Sequence, residues 1–130
     1  MSLVVDTSVI ISVLTNEKSK NRLIKLTKGE ELLAPSSLHW EIGNAFSAMF
    51  KRKRITLELA IQAMDYYSLI PLRFQELDIF KALEIAYNYS VYAYDAYFLE
   101  CSRRNNSPLI TLDKNLKIIA KEMKIRVIEV

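Results

Sequence analysis

Apolar residues fall along the chain in two alternating rhythms. Short apolar runs at roughly 2–6 (SLVVD), 31–35 (ELLAP), 69–74 (LIPLRF), 107–112 (SPLITL) and 125–129 (IRVIE) have the length and character of strands. Between them apolar positions recur at helical spacing. The segment 17–28 carries Leu23, Ile24 and Leu26 among lysines, and Gly29 stands where a helix C-cap belongs. Ser36 or Ser37 can cap a longer helix reaching about Arg54, and Thr56 can cap the next, through about Tyr67. Further helical spacing covers roughly 76–88, 93–105 and 114–123.

Strands that alternate with helices and are apolar on both faces predict a mostly parallel sheet covered on both sides. No linker, repeat or low-complexity segment interrupts the pattern. Residues 1–130 therefore read as a single α/β domain with a sheet of about five strands.

Composition narrows what such a domain can do. Only two glycines occur, which nearly excludes glycine-rich phosphate loops. The single cysteine, Cys101, excludes an internal disulfide and a multi-cysteine zinc site, and it reads as a small core residue. The apolar start lacks a basic leader and is broken by Asp6, so it does not read as a signal peptide. No apolar run approaches the roughly 20 residues of a membrane span. The expectation is a cytoplasmic, soluble protein with no membrane partner, and its net charge of +3 leans mildly toward anionic partners.

The informative anomalies are acids in apolar surroundings. Asp6 sits inside VVDTSVII with no lysine or arginine near it in sequence. Burying an unpaired carboxylate costs several kcal/mol, about what one well-made buried ion pair offsets, so Asp6 either caps a helix or faces a cation or substrate. Asp113 follows LITL at the end of another predicted strand, and carboxyl ends of parallel strands are where ligands bind. Glu41 borders the stripe Leu38, Ile42, Ala45 and Met49, and Asp95 lies among Val91, Phe98 and Leu99. Taken singly, each acid has an ordinary reading: Asp6 or Asp113 as an N-cap, Glu41 as a half-exposed helix acid, Asp95 as a first-turn acid in water. Four inward acids would repel one another unless a cation joined them, and an all-oxygen donor set suits Mg²⁺ or Mn²⁺. The chemistry such an ion would serve is phosphodiester hydrolysis.

The stretches VVDTSVII, SLHWEIGNAF, YDAYFLE and LITLDKNL resemble, in order and over essentially the whole chain, the acidic motifs of the PIN-domain family, and within it the single-domain VapC-type toxins of toxin–antitoxin pairs. The resemblance implies a three-layer α/β/α fold and a metal-dependent endoribonuclease with Mg²⁺ or Mn²⁺ as cofactor. It implies Asp6, Glu41, Asp95 and Asp113 as the catalytic acids. Asp6 and Asp95 would be direct ligands, with Asp113 the further member of the metal-holding set. Glu41 and Asp113 would position water or a second ion, and Thr7, Ser8 and Thr111 would be supporting hydroxyls. It also implies an RNA substrate, a cognate antitoxin that obstructs the site, and a homodimer.

Other features have two readings each. Lys51, Arg52, Lys53 and Arg54 are a solvated helix end or contacts for RNA phosphates, and Arg103 with Arg104 are a second such pair. The tyrosines at 87, 89, 92, 94 and 97 read as core or interface more than as base-stacking rings. His39 reads as an ordinary half-buried histidine, and Phe46, Met49 and Phe50 as a stripe that accepts a partner's amphipathic segment. Two competing functions remain: a phosphatase or phospho-acceptor using Asp6 as nucleophile, and a non-catalytic PIN-like module that binds RNA or protein. The phosphatase would need a paired acid where Thr7 and Ser8 stand, and the module would predict loss of an acid, whereas all four are present.

Overall fold

In the computed structural model, which describes residues 1–130, the central element is β1 (Ser2–Val5), and the first helix follows it without a loop. That helix, α1 (Thr7–Leu14), starts at Asp6, whose extended backbone and side chain make it the N-cap: its Oδ1 accepts the Val9 amide at 3.2 Å. Next come α2 (Lys20–Thr27), β2 (Glu31–Pro35), α3 (Leu38–Lys51), α4 (Leu57–Ser68) and β3 (Leu72–Gln75). The chain finishes with α5 (Ile79–Tyr89), α6 (Ala93–Asn105), β4 (Leu109–Ile110) and α7 (Lys114–Glu122). Gly29, just past α2, takes a left-handed φ of 78° and lets the chain turn into β2.

All strand pairs are parallel, in the order β3-β2-β1-β4. Val4 is in register with Leu33 on one side and Leu109 on the other, and all three are buried. These fully covered strands explain why the sequence shows continuous apolar runs rather than alternation. The helices fall into two groups, as a covered sheet requires: α1 packs on α2, α3 and α4, whereas α6 packs on β1, β2, β4 and α5.

The sheet has four strands, not five. Residues 125–129 meet β4 only through a bridge at Leu109 and Val127, held by Leu109 N–H to Arg126 O (2.8 Å) and Ile128 N–H to Leu109 O (2.9 Å). With β4 itself two residues long, there is no longer edge for that segment to pair with. The expected partner stripe also differs. Phe46 is 4% exposed and belongs to the core, and Met49 packs against it. Exposed apolar surface lies instead on α4 and on α5, where Phe80, Leu83 and Tyr87 line up at helical spacing.

Candidate active site

The strand order reverses direction at the boundary between β1 and β4, because β2 and β3 grow from one side of β1 and β4 joins the other. Such a switch point opens a crevice beyond the carboxyl ends of the strands. Asp6 is the first residue past β1, and Asp113, the N-cap of α7, lies three residues past β4. Glu41 and Asp95 occupy the first turns of α3 and α6, where the helix dipole favours a carboxylate. Topology thus brings to one crevice four acids that span most of the chain.

Asp6 is buried, and three donors hold it. Ser8 Oγ donates to Oδ1 at 2.6 Å, the Val9 amide shares that oxygen, and Thr111 Oγ1 donates to Oδ2. Both hydroxyls are also acceptors: Leu112 N–H bonds Ser8 Oγ and Asp113 N–H bonds Thr111 Oγ1, each at 3.0 Å. The hydroxyls therefore stitch the β4–α7 turn onto Asp6. Glu41 is held differently, by Thr7 Oγ1 on Oε1 and Ser37 Oγ on Oε2, both at 3.1 Å. Asp113 Oδ1 accepts the Leu116 amide at 3.0 Å, the cap expected for α7.

Charge ties the four together. Burial is the main cause that pushes Asp6 up to about 6, against three opposing hydrogen bonds, and the Asp113 charge adds to the rise. Burial likewise pushes Glu41 up to about 7, offset by Thr7 and Ser37 and reinforced by Asp6 and Asp95. Asp95 is raised by burial and then by Asp113. The couplings close a circuit, Asp6 to Glu41 to Asp95 to Asp113 and back to Asp6, and every charge acting in it is another carboxylate. None of the six ion pairs of the protein includes any of these acids. Unpaired carboxylates with hydroxyl support are a donor set that fits a hard divalent cation. No three acid, histidine or cysteine side chains stand together in ligating geometry.

The other expected residues lie elsewhere. Arg103 makes a bidentate pair with fully buried Glu100, through Nε at 2.6 Å and Nη2 at 3.0 Å. It and Arg104 close the C-terminal turn of α6, about 12 Å of helix from Asp95 and toward the amino ends of the strands. Lys51–Arg54 are exposed at the end of α3, about 15 Å of helix from Glu41. His39 is half-buried, its Nδ1 2.9 Å from the Tyr67 hydroxyl. Cys101 is buried in the core, and burial pushes its thiol up to about 12. Tyr87 and Tyr92 are 87% and 86% exposed, so they are not core residues. Ser37, considered above only as a helix cap, makes no capping bond and serves Glu41 instead. The signal available was its position four residues before that acid.

Comparison with known proteins places this geometry. Three solved structures share the fold. PAE2754 from Pyrobaculum aerophilum matches at a TM-score of 0.70 and 20% identity, over 92% of this chain and 87% of that one. VapBC2 from Rickettsia felis, bound to a DNA fragment from its promoter, matches at 0.71 and 15%, over 98% of both chains. The sarcin–ricin loop cleaving toxin VapC20 from Mycobacterium tuberculosis matches at 0.63 and 11%, over 89% of this chain and 93% of the other. No curated protein sequence matches the chain. The sequence profile of the PIN domain, however, matches residues 3–122, a span that includes all four acids and both strands of the switch point, and the chain belongs to the PIN-domain family.

Proposed function

We propose that this protein is a Mg²⁺- or Mn²⁺-dependent endoribonuclease and acts as the toxin of a toxin–antitoxin pair. The observation that carries the reading is the closed circuit of four carboxylates at the switch point, charged only against one another. Asp6 and Asp95 would hold the ion, with Asp113 as the further ligand. When bound, the ion supplies charge neutralisation, polarisation of a phosphoryl oxygen and a more acidic water. Ser8 and Thr111 fix the direction of the Asp6 oxygens. Thr7 and Ser37 hold Glu41 where its carboxylate can orient the attacking water. The toxin reading and the RNA substrate are supported by the fold shared with VapBC2 and with the sarcin–ricin loop cleaving VapC20. RNA phosphates would meet the exposed cations of Lys51–Arg54. The exposed stripe on α5 suits a second copy of the chain in a homodimer, and the apolar face of α4 suits the antitoxin.

The second reading is a non-catalytic PIN-like module that binds RNA or protein. Cleavage of a structured RNA by purified protein with Mn²⁺, beside Asp95→Asn prepared identically, separates the two. Metal-dependent cutting that Asp95→Asn reduces by at least about 100-fold is expected. Binding of RNA with no metal-dependent cutting would instead establish the module.

A further inference from the structure

Beside the acid crevice, over the carboxyl ends of β2 and β3, lies a cavity of about 370 Å³ that none of the roles above uses. Its walls include Ser36 and Ser37 from the β2–α3 turn, Gln75, Glu76 and Leu77 from the β3–α5 turn, and Tyr97 from α6. Ser37 is shared between the two spaces, since its hydroxyl donates to Glu41 Oε2. Tyr97 lies two residues beyond Asp95, half-buried, with Tyr94 packed edge-on against it at 5.9 Å. Through Ser37, whatever fills the cavity touches a residue that also holds Glu41.

The lining decides the ligand's chemistry. None of the eight lining residues is lysine, arginine or histidine, so the cavity does not suit a phosphate. Tyr97 and Leu77 offer a flat, partly buried apolar surface on which a ring can stack. The polar groups are mainly acceptors. Gln75 commits its amide nitrogen to the Arg73 carbonyl at 3.2 Å, which leaves its oxygen free to accept, and Glu76 adds an exposed carboxylate. A flat, uncharged ring that presents adjacent donors is what this arrangement selects. Among nucleobases only guanine offers two neighbouring N–H groups, N1 and N2, on its Watson–Crick edge.

We infer that this cavity receives one unpaired guanine next to the scissile phosphodiester, with Glu76 accepting from its Watson–Crick edge and Tyr97 stacking on its face. The inference rests on the ribonuclease reading and adds base selection and a requirement for a single-stranded substrate. Glu76 and Ser36 are exposed and lie outside the acid cluster, so Glu76→Gln and Ser36→Trp leave the fold and the acids in place.

Two measurements test it. In an RNA with a randomised single-stranded segment, cut with Mn²⁺ present, the wild type should show guanine at one fixed position beside the cut, favoured over uracil by about tenfold or more. Glu76→Gln should reduce that preference below about threefold, and Ser36→Trp, which fills the cavity, should remove it. Cutting without a base preference, or with one unchanged in both variants, overturns the inference and leaves the nuclease standing. Independently of cutting, millimolar guanosine 5′-monophosphate should shift the backbone amide resonances of Ser36, Glu76 and Leu77 in metal-free protein, and uridine 5′-monophosphate should not. Absence of those shifts overturns the cavity assignment. Shifts with guanosine and no Asp95-dependent cutting would keep the cavity and remove the nuclease.

Discussion

Thr111 donates its hydroxyl hydrogen to Asp6 across 105 residues of sequence, while its oxygen accepts the amide of Asp113 at 3.0 Å. One hydroxyl thereby fixes the direction of one acid and the backbone position of another. Thr111→Val keeps the shape of the buried side chain and removes both bonds. It should destabilise the protein by about 1–3 kcal/mol in urea unfolding at pH 7.5. The loss should be smaller at pH 4.5, because the bond lowers the Asp6 pKa and matters most when the carboxylate is ionised. An equal loss at both pH values would show that Asp6 does not depend on this donor.

The raised carboxylates give stability a direction with pH. Asp6 and Glu41 move from 3.8 and 4.5 to about 6 and about 7, so the folded state holds their protons more tightly than the unfolded chain does. Their contribution is full below about pH 4 and is lost as pH rises through about 6 to 7. The Tm of metal-free wild type should therefore fall between pH 4.5 and 7.5 more steeply than that of an Asp6→Asn, Glu41→Gln double variant. Millimolar Mg²⁺ or Mn²⁺ at pH 7.5 should raise the wild-type Tm and leave the variant's unchanged. Parallel pH slopes in the two proteins would remove the electrostatic account of the site.

Arg103 is better explained by Glu100 than by RNA. Arg103→Ala leaves a fully buried carboxylate without its bidentate partner and should cost about 1–3 kcal/mol. Replacing Glu100 and Arg103 together with leucine should recover most of that loss. RNA cleavage and its salt dependence should not change in folded Arg103→Ala. A weaker salt dependence of RNA binding would return Arg103 to the phosphate contacts.

The α5 stripe gives the homodimer a concrete test. Phe80 and Leu83 are 78% and 54% exposed on one face of that helix. Phe80→Glu with Leu83→Glu should shift a dimer to monomer in sedimentation velocity without changing far-UV circular dichroism. A wild type that already sediments as a monomer at micromolar concentration would dismiss the α5 interface.

The acids were legible in sequence for a physical reason. A carboxylate inside an apolar run, as at Asp6, or on an apolar helix face, as at Glu41, stands out because no neighbouring cation balances its charge: nearby Ser8 and Ser37 supply hydrogen bonds only. The strands β1, β2 and β4 were legible because strands covered on both faces are apolar, but strand ends were not: the run 69–74 is strand only over Leu72–Gln75, and 107–112 only over Leu109–Ile110. Residues 125–129 misled because apolar character reports contact with the core and not pairing: Ile125, Val127 and Ile128 are partly buried against it, yet the segment meets β4 at one bridge. Phe46 misled in the opposite sense, since a helix stripe next to lysines reads equally as core or docking face. Arg103 could not be placed from sequence at all. Its partner is three residues earlier on its own helix, and only the burial of Glu100 reveals that exposed Arg103 covers a buried charge.

The long reach from Thr111 to Asp6 also sets when the site can exist during synthesis. Asp6 leaves the ribosome before the other three acids, but its third donor follows 105 residues later, and β4 pairs with β1 only after every element between them has been made. Contacts so distant in sequence form late, because the intervening chain must be ordered first. A nascent chain that stops before Thr111 holds three of the four acids, Asp6, Glu41 and Asp95, with no finished crevice to collect them. If the protein cuts RNA, that activity is withheld from the translating ribosome until Thr111 and Asp113 have emerged.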